Sequence, residues 1–254
     1  MIKRDFLFTF KNIFIKNIFI GVIFLSINIL TISIVNSNNK LNDVNLIFQN
    51  LKGVPYYKLS EGFQLPLIWF IINFFIIFNL ANYIYDDFRN NGKYILIRVK
   101  KMKYFYFTKV LWSIYNTFVY YIILFLIMII TSKIFLHQSS KYILIQGIYM
   151  DKHTLAIKLF LLYYTTSVAL VLLQNTVALV LNPVYSYLVI LLLIFISVFT
   201  INNLLPGQHS LILRDILFDN IHRLTFAKSL VYNLVLSIFS IMMGYIILLK
   251  KDVL

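Results

Sequence analysis

Over most of this chain apolar and polar positions do not alternate with the period of a surface helix. They segregate into long apolar runs separated by short charged ones. Six runs approach the roughly 20 residues that a membrane-spanning helix needs. They are Ile18 to Val35, Leu65 to Tyr85, Val110 to Ile130, Leu155 to Leu181, Val184 to Ile201 and Ser229 to Leu249. The fourth is long, and Leu181-Asn182-Pro183 sets its end, because proline lacks the amide hydrogen and its ring clashes with the preceding turn. The fourth and fifth runs are therefore expected as a helical hairpin. The predicted fold class is an all-α integral membrane protein with six transmembrane helices, the whole of residues 1–254 forming one domain.

Two segments outside the runs carry a helical pattern of their own. Between Met1 and Lys16, Phe6, Phe10, Ile13 and Phe14 share one helical face among lysines and arginine. That describes an interfacial helix over residues 1–17, lying along a leaflet; the alternative is a plain extension of the first span. Over residues 202–228, Leu213, Ile216, Leu217, Ile221 and Leu224 fall on one helical face, with Arg214, Asp215, Asp219 and Arg223 elsewhere. A turn signal, Leu204 to Gly207, precedes them, and Gly207 is expected to supply backbone angles that other residues find strained. The pattern predicts a shallow re-entrant or interfacial hairpin. If it is an extracellular gate, Pro206, Gly207 and Leu217 are its candidate residues.

Composition narrows the class: 61% hydrophobic residues, 17% aromatics and a mean hydropathy of +0.84 exclude a water-soluble domain of this size. Charge then orients the spans. The stretch to Asn17 nets +3, the segment Asp86 to Lys109 nets +5 from seven basic and two acidic residues, and Lys250 to Asp252 nets +1. On the other side, Asn36 to Gln64 nets +1, Thr131 to Thr154 nets +2, and Asn202 to Lys228 nets +1. The positive-inside rule places both termini in the cytoplasm. The first span has no small-residue cleavage site after it and is expected to be retained. Abundant Ile, Asn, Lys, Phe and Tyr suit an AT-rich bacterial genome, so a bacterial plasma membrane is the expected location. No nucleic-acid partner is expected.

Enzymatic patterns are missing from the sequence. Glu61 is the only glutamate, the seven glycines never take a phosphate-cradling spacing, and no Ser and His or paired Asp set lies in the spans. His137, His153, His209 and His222 are spread over predicted outer loops, and the chain has no cysteine. No catalytic residue, cofactor or metal site is expected. The spans carry neutral polar residues instead, which in hydrocarbon seek partners on neighbouring helices. Two roles stay open for them, helix-packing glue and the lining of a path; the candidate lining residues are Asn28, Asn73, Asn79, Gln174, Asn175 and Asn233. Asn79, Asn82 and Asp86 are spaced i, i+3, i+7, giving one polar face that leads to the basic segment.

That basic segment carries a resemblance. Asp87, Gly92, Leu96, Arg98 with Lys100 to Lys103, and Lys109 follow one another as do the acidic residue, glycine, leucine, basic turn and span-opening lysine in the coupling region of ABC-2 type (type V) exporter permeases. Asp stands where that family more often has Glu. The chain end Gly244 to Leu254 is also similar to the family's terminal glycine with its basic-acidic tail. The resemblance implies a cytoplasmic coupling helix within residues 86–109 that meets a separate ABC ATPase. Asp87, Gly92, Leu96, Arg98, Lys100, Lys101 and Lys109 would be the coupling residues, and a second permease copy would complete a homodimer or heterodimer. Small size and composition are similar to Gram-positive exporters of bacteriocins and toxin peptides, the phenol-soluble modulin exporters among them. The implied cargo is a hydrophobic or amphipathic peptide. Alternatives are export of lipid-linked or drug-like substrates for immunity, a basic loop that only contacts anionic lipid, and a non-transporting membrane scaffold or sensor.

Overall fold

The computed structural model describes residues 2–37, 46–54, 66–80, 84–85, 102–135, 142–145, 148–219, 221 and 223–250. Among the described residues seven helices dominate: α1 (Ile2–Ser37), α2 (Leu46–Leu51), α3 (Leu67–Leu80), α4 (Met102–Phe135), α5 (Lys152–Val180), α6 (Pro183–Phe199) and α7 (Phe226–Lys250). Strands β1 (Tyr142–Ile145) and β2 (Ile148–Asp151) pair antiparallel between α4 and α5, with Ile145 opposite Ile148. Two 3₁₀ turns, Pro206–Ser210 and Ile212–Arg214, join α6 to α7. Among the described residues α1, α4, α5 and α7 are long and apolar enough to cross a membrane, while α3 and α6 are shorter apolar helices of 14 and 17 residues.

Local sequence explains several boundaries. Asp151 caps α5 with a carboxylate that accepts the Thr154 amide and hydroxyl, each at 3.0 Å. Helix α5 ends at Val180 and α6 begins with Pro183 in its first position, as Leu181-Asn182-Pro183 predicts. The N-terminal segment differs from expectation. Helix α1 continues unbroken for 36 residues, so residues 2–17 are continuous with the first apolar run. No proline interrupts them, and Gly21 is the first glycine. At about 54 Å, α1 is longer than the roughly 30 Å hydrocarbon core and projects beyond it.

Packing is inverted relative to a soluble bundle. In α7 the buried residues are Ser229, Asn233, Ser237, Ser240, Gly244 and Leu248, spaced by threes and fours. Val231, Leu234, Val235, Ile238, Phe239 and Met242 are exposed on the same helix. Lipid tails are as apolar as leucine, so small residues that allow close backbone approach drive helix association in a membrane. Gly244 shows the approach: a Cβ there would collide with the Tyr106 hydroxyl and lie 3.1 Å from Thr176 Oγ1. Helix α5 is the centre of the bundle, with 56% of its apolar stretch buried against 33, 33 and 22% for α1, α4 and α7. It packs on α3, α4, α6, α7 and the first 3₁₀ turn. The chain is thus a mostly helical, membrane-embedded protein.

The segment after α6 corrects the helical pattern expected for residues 213–224. Among its described residues a 3₁₀ turn ends at Arg214 and non-helical turns follow, and the apolar set divides: Leu213 and Leu224 are buried, Ile216, Leu217 and Ile221 exposed. The stretch past Arg214 closes on itself through the Ile216 amide, which donates to the Leu224 carbonyl at 2.7 Å. Apolar spacing of three and four also arises when a chain buries both ends of a stretch and exposes the middle.

Candidate functional site in the bundle interior

Neutral polar side chains connect the helices along the length of α5. At the end of the bundle that carries the 3₁₀ turns, the Tyr163 hydroxyl donates to the Leu51 carbonyl at 2.8 Å. About one turn on, Tyr121 of α4 and Ser167 share a hydrogen bond of 2.6 Å, and Ser167 Oγ lies 3.4 Å from Asn73 Oδ1 on α3. Asn233 of α7 donates to Thr165 and Thr166 at 3.2 and 2.9 Å. Nearer the opposite end, Asn175 donates to Ser113 of α4 at 3.2 Å, and Thr176 donates to the Ser240 carbonyl of α7 at 2.8 Å.

Helix α1 is tied in the same manner. Asn50 of α2 donates to Asn28 at 2.6 Å, and Asn79 of α3 donates to Asn17 at 3.0 Å. Each such bond contributes about 0.5–2 kcal/mol. Asn28, Asn73, Asn79, Asn175 and Asn233 therefore all bond within this one chain, each directly to another helix. Gln174 does not. It is 0% exposed, and neither its amide nitrogen nor its amide oxygen has a hydrogen-bond partner. An unmet amide in an apolar interior costs about 2–7 kcal/mol.

The segment after α6 is anchored by residues whose chemistry the sequence pattern did not reveal. Arg214 is 0% exposed; its Nη1 donates to the Ser197 carbonyl at 2.7 Å, and its Nη2 donates to the Val198 carbonyl. Those carbonyls end α6, where four carbonyls lack intrahelical partners and the helix dipole favours a cation. The planar guanidinium fork suits two adjacent acceptors. The basic residue that the helical pattern assigned to a polar face is thus a buried helix cap, and an arginine roughly 15 residues beyond a helix end carries no local signal of such a role. Trp69 Nε1 donates to Ser210 Oγ at 2.7 Å, and the Leu213 amide donates to the Lys52 carbonyl at 3.3 Å. These bonds fix the segment to α3 and to the end of α2.

Pro206 and Gly207 are buried here, whereas Leu217 is 49% exposed. Gly207 is needed for space and not for unusual backbone angles: a Cβ there would collide with Ser197 Oγ and lie 3.4 Å from the Trp69 ring, and among described glycines only Gly53 has a positive φ. His209 stacks on Tyr232 with ring centroids 4.0 Å apart, Nε2 2.9 Å from the Asn203 carbonyl and Nδ1 3.2 Å from Ser229 Oγ. Burial lowers its pKa from 6.5 to about 4, against the opposing effect of the Asn203 bond.

Asp87, Gly92, Leu96, Arg98, Lys100 and Lys101 lie outside the described residues, as do Asn82, Asp86, His137 and His222. Lys109 is described and is 1% exposed, with Nζ 5.7 Å from the centre of the Phe105 ring. So buried, it can influence a partner only through the elements packed around it. Among the described residues no group of three or more His, Asp or Glu is placed to hold a metal ion.

Comparison with curated proteins and with solved structures returns no match. A family model described as a protein of unknown function (DUF2705) matches residues 13–254, and the chain belongs to that family.

Proposed function

We propose that this protein is the membrane permease subunit of an ATP-driven exporter, with six spans, both termini cytoplasmic and a separate ATPase subunit supplying energy. The observation that carries the reading is the order Asp87, Gly92, Leu96, Arg98, Lys100 to Lys103 and Lys109 in the most basic segment of the chain, between two apolar helices. In the proposal, residues 86–109 form a coupling helix seated in a groove of the ATPase, and α3 and α6 are the second and fifth spans. The permease acts as a homodimer or heterodimer. The cargo is a hydrophobic or amphipathic peptide entering from the bilayer, in keeping with the apolar exterior of the bundle. A path through the interior would expose Asn28, Asn73, Asn79, Gln174, Asn175 and Asn233. The segment over residues 202–228 would be the outer re-entrant gate.

A membrane scaffold or sensor is the second reading, favoured by the interhelical bonds that tie Asn28, Asn79, Asn175 and Asn233 to partners on other helices. Affinity purification of the tagged full chain from native membranes in mild detergent separates the two. Export predicts a co-purifying ATP-binding protein that is lost with Leu96→Asp, since a charge placed at a packed contact is costly. A chain recovered without any ATPase, though folded and abundant, overturns the export reading.

A further inference from the structure

Gln174 stands apart from the other interior amides. Asn28 Nδ2, Asn79 Oδ1 and Asn233 Oδ1 are each the spare atom of an amide whose other atom is bonded. Gln174 leaves both Nε2 and Oε1 unmet, and the adjacent Asn175 leaves Oδ1 unmet after its nitrogen donates to Ser113. Along α5, Tyr163, Ser167, Leu170 and Gln174 follow one another at spacings of four, three and four, so they share a face, and Ser167 on that face reaches both α3 and α4. Tyr163 and Ser167 have partners in the closed packing. Gln174, about 10 Å further along the same face, has none.

We propose that Gln174 marks a seam between α5 and the α3–α4 pair that opens to admit a small neutral hydrogen-bonding ligand, water in the first instance. The chemistry selects the ligand. A cation would satisfy Gln174 Oε1 and leave Nε2 unmet, and an anion would do the reverse. A molecule that both donates and accepts satisfies both Gln174 atoms. In the closed packing no protein group meets either Gln174 atom, so the packed state carries an unmet amide that opening relieves. The inference rests on interior geometry alone and stands whether or not the protein exports a cargo.

The chain has no cysteine, so one introduced thiol reports on one place. Leu170→Cys and, as a gentler probe, Ser167→Cys are made in the full-length protein and again in a Gln174→Leu background. Each is treated in nanodiscs with a small water-soluble methanethiosulfonate reagent, which needs water to reach the thiol. The proposal predicts measurable labelling at both positions. In the Gln174→Leu background labelling slows at least about tenfold, equal to about 1.4 kcal/mol on the opening equilibrium. Ala169→Cys, buried on another face of α5, stays unlabelled. Gln174→Leu alone raises the unfolding temperature. Thiols at 167 and 170 that stay inert, or equal rates in the two backgrounds, overturn the seam. A lower unfolding temperature for Gln174→Leu overturns it independently of the labelling.

Discussion

Replacing Arg214 by methionine keeps much of the side chain's length and removes its charge and its five donors. The guanidinium donates to the Ser197 carbonyl at 2.7 Å and to the Val198 carbonyl, both within the last three residues of α6, and it is fully buried. Hydrogen bonds to a charged group contribute about 1.5–3 kcal/mol each. Part of that is offset, because methionine no longer buries a charge. What remains is a pair of buried carbonyls left without their donors, for a net loss of about 2–4 kcal/mol. Arg214→Lys keeps the charge at the helix end but lacks the fork, so it should lose about half as much. Trp69 and Trp112 are both buried, and Trp69 bonds to Ser210 in the segment that Arg214 anchors. Thermal unfolding followed by tryptophan fluorescence therefore reads the event without a thiol dye, which a cysteine-free chain could not take up. The expected order of stability is wild type, then Arg214→Lys, then Arg214→Met, the last unfolding roughly 10 °C early. Unfolding temperatures within about 2 °C of wild type for both variants, or a lysine variant less stable than the methionine one, would refute the capping argument.

Gly207→Ala places a methyl group where Ser197 Oγ sits, so it should unfold several degrees early, and Ser197→Gly in the same chain should restore part of the loss; no rescue would remove the close-approach explanation. For His209 the folded pKa of about 4 lies below the ordinary 6.5, so between those values the unfolded chain binds the proton and the folded one does not. Stability is then complete above pH 6.5 and declines as pH falls toward 4, by up to about 3 kcal/mol, and His209→Gln should flatten the dependence of unfolding temperature on pH; parallel curves would contradict it. A cytoplasmic reporter should be active when fused after Leu254 or Arg98 and silent after Gln146, whereas activity at Gln146 would contradict six spans with both ends inside.

The parts of the fold that were legible in the sequence depend on lengths and breaks. Apolar runs long enough to span located α1, α4, α5 and α7, and the proline at position 183 located the α5–α6 break within two residues. Sequence reasoning singled out Asn28, Asn73, Asn79, Gln174, Asn175 and Asn233 together, as helix-packing glue or path lining, because neutral polar groups in hydrocarbon must find partners. It could not rank Gln174 apart from the others, since satisfaction depends on what lies across the interface. The β1–β2 pairing was missed although two short runs, Tyr142–Ile145 and Ile148–Asp151, lie two residues apart in the sequence. The burial of Arg214 and Lys109 was not legible in the sequence for one shared reason. Cations near the ends of spans are ordinarily read as facing water or partners, and both here are enclosed by neighbouring helices. The spacing of Leu213, Ile216, Leu217, Ile221 and Leu224 imitated a helix although the chain buries the two ends of the set and exposes its middle.

Inverted membrane vesicles containing the chain and its co-purified ATPase test export most directly. A fluorescent amphipathic helical peptide is added outside, and its accumulation inside is followed with and without ATP. The account predicts ATP-dependent accumulation that disappears in vesicles lacking the chain and in vesicles carrying Leu96→Asp. Accumulation that ignores ATP, or that is equal without the chain, would contradict it.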